Sequence, residues 1–251
     1  MITRQQLELI NHKTLKYPLQ LAEKDYFLTL ALKAIAESNI GKKLIFKGGT
    51  ALHHCYLEQY RFSEDLDFSA DKNILNPNDV KNIFSDDPLF IIKKSFLSPA
   101  TIKIEKLQFT GPLIQPNSLK IEIDRLQNVL LKPQTVNYNN VWGIEFNVTV
   151  MDIMEICAEK IRAASDRARY RDFYDLYLII NRYKPNLKEI CSFIKHKEIH
   201  KTISKKTIMQ NWKIAGMLKG AELNQIYYSR EIADFKIESM INSFSFTKIS
   251  K

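Results

Sequence analysis

Two aspartates, two positions apart, are the residues whose spacing points most directly to chemistry. Asp65 and Asp67 alternate with the apolar residues Leu66 and Phe68. Side chains at i and i+2 of a strand point to the same face, so the two carboxylates would lie side by side. Their like charges repel unless something positive lies between them, and a hard divalent cation with oxygen ligands is the natural candidate. The pair therefore predicts a metal site.

A glycine pair lies a short distance upstream of these aspartates. Gly48 and Gly49 follow a short apolar run, 44–46, and precede a helix predicted over about 50–60. Glycine lets a backbone approach a phosphate closely, and the start of a helix presents free N–H groups to an anion. Together with the aspartate pair, this turn predicts a metal-dependent nucleotide site.

A third carboxylate is expected on another strand. Residues 119–126 alternate apolar and charged side chains, which predicts a strand. Glu122 and Asp124 share its polar face, and the spacing does not decide between them. Three carboxylates on neighbouring strands form a platform for divalent metal in phosphoryl chemistry. The alternative for both residues is an ordinary solvated strand face.

A second group of charged residues falls on two predicted helices, 152–167 and 171–183. Lys160 lies on an apolar-leaning face of the first helix, where it either projects into a site or extends its ammonium to solvent. Asp172 and Asp175 share a face of the second helix, for which the alternative is a solvated salt-bridge face. A lysine that contacts phosphate and an acid that orients a hydroxyl would fit nucleotidyl transfer.

The elements that must position these residues divide the chain in two. Apolar periodicity predicts a helix over 21–38 and strands over 44–46, 89–97, 101–109, 119–126 and 144–150. From residue 151 the pattern is helical, with further helices at 187–197, 205–217, 219–228 and 231–243. The layout predicts an α+β fold, with a mixed α/β domain over 1–150 and a helical domain over 151–251. A ligand cleft is expected at their junction.

Local signals place the start of the helical half. Asp152 is expected to cap the first of its helices, with Glu155 completing a capping-box-like pair three residues later.

Composition narrows the class of partner. The 251 residues contain 37 Lys and Arg against 28 Asp and Glu, a net charge of +9, which favours a polyanionic partner such as RNA or DNA over charge that serves solubility alone. Three widely spaced cysteines without a CxxC motif argue against a disulfide framework or a zinc site and for a reducing cytoplasm. No signal peptide or membrane span is predicted.

Four segments in this order resemble the AbiEii family: GGTAL, RFSEDLDF, EKIRA and RYRDFYDLY. These proteins are nucleotidyltransferase-like toxins of type IV toxin–antitoxin and phage abortive-infection systems, and the family is similar to the minimal nucleotidyltransferase superfamily. The resemblance implies a nucleotidyltransferase-like mixed β-sheet with flanking helices, followed by a helical C-terminal domain that closes the active-site cleft.

The resemblance also implies roles for individual residues. The positions that match nucleotide-binding residues are Gly48, Gly49, Thr50, Arg61, Ser63 and Lys160. Asp65 and Asp67 match the metal ligands, with Glu122 or Asp124 as the third carboxylate. Asp172 matches an acid expected to help activate the acceptor, and Asp175 accompanies it.

The activity implied is Mg²⁺-dependent transfer of a nucleoside monophosphate from an NTP to an acceptor. The 3′ end of tRNA is the favoured acceptor, and its modification would block translation in the cytoplasm. A protein acceptor, or a non-catalytic regulator that binds GTP or RNA, are the alternatives. The family also implies a separately encoded antitoxin, which need not bind the toxin.

Overall fold

The computed structural model describes residues 1–70, 75–126, 128–197, 202–223 and 226–249. The chain folds into two compact units. The N-terminal unit comprises Met1–Gln127 and Pro133–Met151, and the C-terminal unit comprises Asn128–Lys132 and Asp152–Lys251.

The N-terminal unit is built on a mixed sheet. Its strands are β1 (Ile45–Lys47), β2 (Asp65–Ser69), β3 (Ile91–Leu97), β4 (Thr101–Thr110), β5 (Pro116–Asp124), β6 (Gln134–Asn137) and β7 (Asn147–Val150). The spatial order is β3-β4-β5-β2-β1-β7-β6, in which β2–β5 and β1–β7 are parallel and the other pairs antiparallel. The flanking helices are α1 (Arg4–Lys13), α2 (Leu19–Glu37), α3 (Gly48–Ala51) and α4 (Pro77–Ser85). The predicted α+β class is confirmed.

The alternating strands bury one face of the sheet. Leu66 of β2 and Ile121 of β5 are paired in the parallel ladder, and both are almost fully buried. The apolar face predicted for the helix over 21–38 is buried on α2, where Phe27 stacks on Phe109 of β4 with 4.0 Å between ring centroids. This core leaves the charged residues of β2 and β5 together on the opposite face.

One local prediction in this unit was wrong, and one strand was not predicted. The helix expected over about 50–60 begins earlier, at Gly48, and continues only as the π-helical turn Leu52–Tyr56, because Leu57 is extended. The strand β6 was missed, since its four residues owe their conformation to pairing with β7 rather than to a local pattern.

The C-terminal unit is mainly helical. Its helices are α5 (Ile153–Asp166), α6 (Tyr170–Tyr183), α7 (Leu187–His196), α8 (Lys205–Leu223) and α9 (Asp234–Asn242). A two-stranded ribbon of β8 (Ile203–Ser204) and β9 (Lys248–Ile249), which the pattern did not predict, accompanies them. Among the described helices, none is long and apolar enough to cross a membrane.

The start of α5 corrects the capping prediction. Asp152 caps the helix as expected, since its Oδ1 accepts from the Met154 N–H at 2.8 Å. The Glu155 carboxylate does not bond back to Asp152. It accepts from the N–H groups of Leu130 and Leu131 at 3.0–3.1 Å and is paired with the Lys197 ammonium.

The helices predicted over 205–217 and 219–228 are a single helix as far as residue 223. Gly216 and Gly220 lie inside α8 without leaving the helical conformation, so neither ends it. Residues 224–225 of the second predicted helix lie outside the described residues, and 226–228 are not helical.

Candidate active site

The glycine pair is required by close packing against the residues that follow it. Gly48 has φ +81°, and a Cβ at this position would lie 2.5 Å from Asp67 Oδ2. A Cβ on Gly49 would lie 2.5 Å from Arg61 Nη2 and 2.7 Å from Ser63 Oγ. A side chain at either position would therefore displace the groups predicted to bind nucleotide or metal.

Two of the predicted nucleotide-binding residues support this turn from inside the protein. The Thr50 hydroxyl is fully buried and donates to the backbone carbonyl of Asp65 at 2.6 Å. The Arg61 guanidinium is buried, and its Nη1 donates to the Phe62 carbonyl at 2.9 Å. Thr50 therefore fixes the start of β2 relative to the glycine turn.

The carboxylates of β2 and β5 meet on the polar face of the sheet. Asp67 is paired with Glu122 in the parallel ladder. Burial, together with the neighbouring charges of Asp65 and Glu122, raises the pKa of Asp67 to about 6 against the opposing effects of Lys120 and Lys47. Burial is therefore the main reason that the ionised form of Asp67 is disfavoured, and the two neighbouring carboxylates disfavour it further.

Lys120 lies between two of these carboxylates and partly neutralises them. It is paired with Asp65 in the ladder, and its Nζ lies 3.8 Å from Asp65 Oδ2 and 3.0 Å from Glu122 Oε2. Burial alone would lower the pKa of Lys120, but these carboxylates outweigh it and the pKa is raised. The alternating pattern of residues 119–126 includes Lys120 in the predicted strand but assigns it no role. Its signal was its position two residues before Glu122.

Glu122 and Asp124 differ in the residues that surround their carboxylates. Asp124 is paired with Ser69 rather than with an aspartate, and its Oδ2 lies 3.3 Å from Lys47 Nζ. Its Oδ1 accepts from the Leu126 N–H at 2.9 Å. Glu122, by contrast, lies directly beside Asp67.

The carboxylates of Asp65, Asp67 and Glu122 lie on neighbouring strands but do not point at a common centre. Within the described ranges, no three His, Cys, Asp or Glu side chains already have the arrangement of a metal site. The ammonium of Lys120 contacts both Asp65 and Glu122 instead. The oxygen donors themselves are of the type that a hard divalent cation prefers.

The C-terminal unit holds the second predicted group. Lys160 Nζ lies 2.7 Å from Asp175 Oδ2 and 3.3 Å from Asp172 Oδ1. Arg167 reaches the same carboxylate, with Nε 2.7 Å from Asp172 Oδ2. Both aspartates are fully buried, so the solvated salt-bridge face weighed for them is wrong.

The charges of this cluster balance internally. Burial would raise the pKa of Asp172, but the charge of Lys160 and the hydrogen bond and charge of Arg167 outweigh it and the pKa is lowered. Asp172 is therefore an anion held by two cations. The structure thus brings the predicted residues together in two clusters, one in each unit, and the cleft expected to unite them stays a prediction.

A family model described as nucleotidyl transferase AbiEii toxin, type IV TA system, matches residues 30–239, which is most of the chain. The chain belongs to the AbiEii nucleotidyltransferase toxin family. It is accordingly a nucleotidyltransferase, and the family implies a nucleotide substrate and an antitoxin partner. Nucleotidyltransferases generally use a divalent metal ion.

Solved structures show the same fold. MenT4, a nucleotidyltransferase toxin from Mycobacterium tuberculosis H37Rv, aligns with a TM-score of 0.62 at 21% identity, covering 75% of this AbiEii chain and 68% of MenT4. JHP933 from Helicobacter pylori aligns with a TM-score of 0.59 at 20% identity, covering 89% and 90% of the two chains. A putative nucleotidyltransferase from H. pylori gives 0.57 at 20% identity, covering 90% and 95%. A search of curated proteins gave no significant match.

Proposed function

We propose that this AbiEii protein is a Mg²⁺-dependent toxin that transfers a nucleoside monophosphate from an NTP to the 3′ end of tRNA and so blocks translation in the cytoplasm. The observation that carries the proposal is the row of Asp65, Asp67 and Glu122 beside the Gly48–Gly49 turn. The net charge of +9 supports a nucleic-acid acceptor. A role in phage defence and an antitoxin that acts without binding the toxin belong to the same proposal.

The carboxylates are the proposed metal ligands. Asp65 and Asp67 would hold Mg²⁺ with Glu122 as the third acid, while Asp124 is already engaged by Lys47. When bound, the metal ion neutralises charge on the reacting phosphate and orients it. The raised pKa of Asp67, caused first by burial and then by the charges of Asp65 and Glu122, supports this assignment, because a bound cation would stabilise the ionised carboxylate.

The remaining residues bind and orient the nucleotide. The N–H groups of the Gly48–Gly49 turn would bind the phosphates. Ser63 packs against this turn, since its Oγ would lie 2.7 Å from a Cβ on Gly49. The acceptor hydroxyl oxygen bonds to the α-phosphorus, the bond from that phosphorus to the β-phosphate oxygen breaks, and pyrophosphate leaves. The hydroxyl proton passes to a carboxylate or to water.

The C-terminal cluster is proposed to present Lys160 to the triphosphate. Asp172 and Asp175 hold its ammonium in place from two sides. Full burial and a lowered pKa suit Asp172 to this positioning role better than to proton abstraction from an acceptor.

The test is incubation of the purified protein with total tRNA, MgCl₂ and each of the four α-labelled NTPs in turn. Label on RNA, lost in Asp67→Asn, is the expected result, and digestion of the product would place it at the 3′ end. Label on protein instead would identify a protein acceptor, and an absence of transfer with all four nucleotides would overturn the proposal.

The growth of cells that express the protein distinguishes a catalytic toxin from a non-catalytic regulator. Asp65→Ala and Asp67→Ala should each abolish toxicity, whereas Glu64→Gln, a change at an exposed neighbour, should not. Toxicity that survives both aspartate substitutions would favour a non-catalytic regulator that binds GTP or RNA.

A further inference from the structure

One exposed aromatic side chain lies in register with the carboxylates. Across four neighbouring strands, the ladder pairs Asp67 of β2 with Glu122 of β5, Glu122 with Lys103 of β4, and Lys103 with Phe96 of β3. Paired residues of neighbouring strands project from the same face of a sheet. Phe96 therefore lies on the face that carries the acidic cluster, three strand spacings or about 14 Å from Asp67.

Two lysines lie beside Phe96, since Lys103 is its ladder partner and Lys94 lies over its ring. Strands β3 and β4 together contain four lysines and a single acidic residue, Glu105. Lys94 lies over the Phe96 ring, with its Nζ 4.9 Å from the ring centroid, and also pairs with Glu105 at 3.0 Å. Phe96 is 50% exposed.

An exposed aromatic ring among lysines is the combination that binds single-stranded nucleic acid. Bases stack on the ring whatever their identity, and the lysines neutralise the phosphates. A protein interface would favour a continuous apolar patch, whereas the neighbours of Phe96 on this face are the charged residues Lys94 and Lys103.

We infer that this face of β3 and β4 is the docking surface for the single-stranded end of the nucleic-acid acceptor, with Phe96 stacking against one of its bases. The inference rests on the proposed function and adds the position of the acceptor. A distance of about 14 Å corresponds to about four nucleotides at the 3.4 Å rise of a stacked strand. The terminal hydroxyl would thus reach Asp67 when Phe96 holds a base about four positions inward.

The test measures binding of a fluorescent RNA hairpin, by anisotropy, with either a six-nucleotide 3′ overhang or a blunt end. Phe96→Ala should weaken binding of the overhang hairpin about tenfold and leave the blunt hairpin unchanged, because stacking on one aromatic ring contributes on this scale. Phe96→Tyr should bind as the wild type does. Equal losses with both hairpins would overturn the inference.

Leu97→Ala is the matched control. Leu97 is the next residue of the same strand, is 59% exposed and is paired with the buried Ile102, so it belongs to the other face. It should leave RNA affinity unchanged. If Leu97→Ala and Phe96→Ala weaken binding equally, or if Phe96→Ala changes the sedimentation of the protein and not its RNA affinity, the surface is not an RNA site.

Kinetics separate this inference from the proposed function. In the transfer assay, Phe96→Ala should raise the KM for overhang RNA about tenfold and leave kcat and NTP affinity unchanged, since Phe96 is remote from the carboxylates. If the wild type transfers nothing to RNA, the proposed function fails. If the wild type labels RNA and Phe96→Ala labels it with the same KM, only the docking surface fails.

Discussion

Asp67 and Asp172 both belong to charged clusters, but their pKa values move in opposite directions. The pKa of Asp67 is raised to about 6, because burial and the charges of Asp65 and Glu122 exceed the compensation from nearby lysines. The pKa of Asp172 is lowered, because Lys160 and Arg167 outweigh its burial. In the N-terminal cluster, the carboxylates of Asp65, Asp67 and Glu122 outnumber the ammonium groups of Lys120 and Lys47 that act on them. In the C-terminal cluster, Lys160 and Arg167 match Asp172 and Asp175. A site that binds a cation needs an excess of negative charge for the cation to neutralise. Of these two clusters, the N-terminal one has this excess.

The largest expected effect is on catalysis in the N-terminal cluster. Asp67→Asn should lower nucleotidyl transfer by about 10³-fold, because a metal ligand that stabilises the reacting phosphate contributes several kcal/mol. The free energy of unfolding at pH 7 should stay equal or rise, since a neutral amide removes like-charge repulsion. Transfer kinetics and urea denaturation of the same sample measure both. A marked loss of stability would show that Asp67 is a structural ion-pair partner like Asp172.

The C-terminal cluster should respond mainly in stability. Asp172→Ala should lower the free energy of unfolding by about 3 kcal/mol, because it leaves the buried Lys160 with one partner fewer. Asp166→Ala, at the exposed end of α5, should change it by less than about 0.5 kcal/mol. Chemical denaturation compares the two variants, and equal effects would mean that the buried cluster contributes no more than a surface charge.

Substitution of Lys120 tests whether the N-terminal cluster has an excess of negative charge that a metal ion could neutralise. Lys120→Met should tighten Mn²⁺ binding about tenfold in the absence of nucleotide, since an ammonium within 4 Å of Asp65 and Glu122 repels an incoming cation. Isothermal titration calorimetry measures the affinity directly. Lys103→Met, one strand further out, should have a smaller effect. Weaker Mn²⁺ binding in Lys120→Met would show that Lys120 organises the carboxylates for the metal.

The smallest effects are in the pH dependence of stability. Between the ordinary value of 3.8 and about 6, the folded state binds more protons at Asp67 than the unfolded state does, so ionisation of Asp67 lowers stability as the pH rises. The free energy of unfolding of Asp67→Asn, relative to the wild type, should therefore increase from pH 4 to pH 7.

The variant Asp172→Asn should show the opposite trend. Asp172 contributes stability above pH 3.8 that is lost as the pH falls through its lowered pKa, so the loss of unfolding free energy in Asp172→Asn should shrink at acid pH. Denaturation series across pH 3–7 would reveal whether the two differences have opposite slopes.

The sequence predicted the two strands of the N-terminal cluster because their alternation is local. Asp65 and Asp67 share a face with Glu122 and Asp124 as the period of two requires. The choice between Glu122 and Asp124 depends on register, which is set by parallel pairing of strands distant in the chain, so no local pattern contains it. The role of Lys120 was missed for the same reason.

The burial of the C-terminal cluster could not be predicted from the sequence, because its charged residues come from separate segments of the chain. The helical pattern placed Asp172 and Asp175 on one face, but that face is polar and is typical of solvent exposure. Only the folded unit shows that Lys160 of α5 and Arg167 of the α5–α6 connection reach these carboxylates. The short strands β6, β8 and β9 escaped prediction because their pairing partners define them.

The segment Asn128–Lys132 has a consequence for how the protein can be divided or recombined. The chain passes from one unit to the other three times, because this segment belongs to the C-terminal unit and lies within the sequence of the N-terminal one. Glu155 holds the N–H groups of Leu130 and Leu131 while Lys197 donates to the Asn128 carbonyl at 2.7 Å. A fragment that starts at residue 152 would lose these partners. No single crossover point in the gene exchanges one unit intact, so relatives of this chain are expected to inherit both units as one piece.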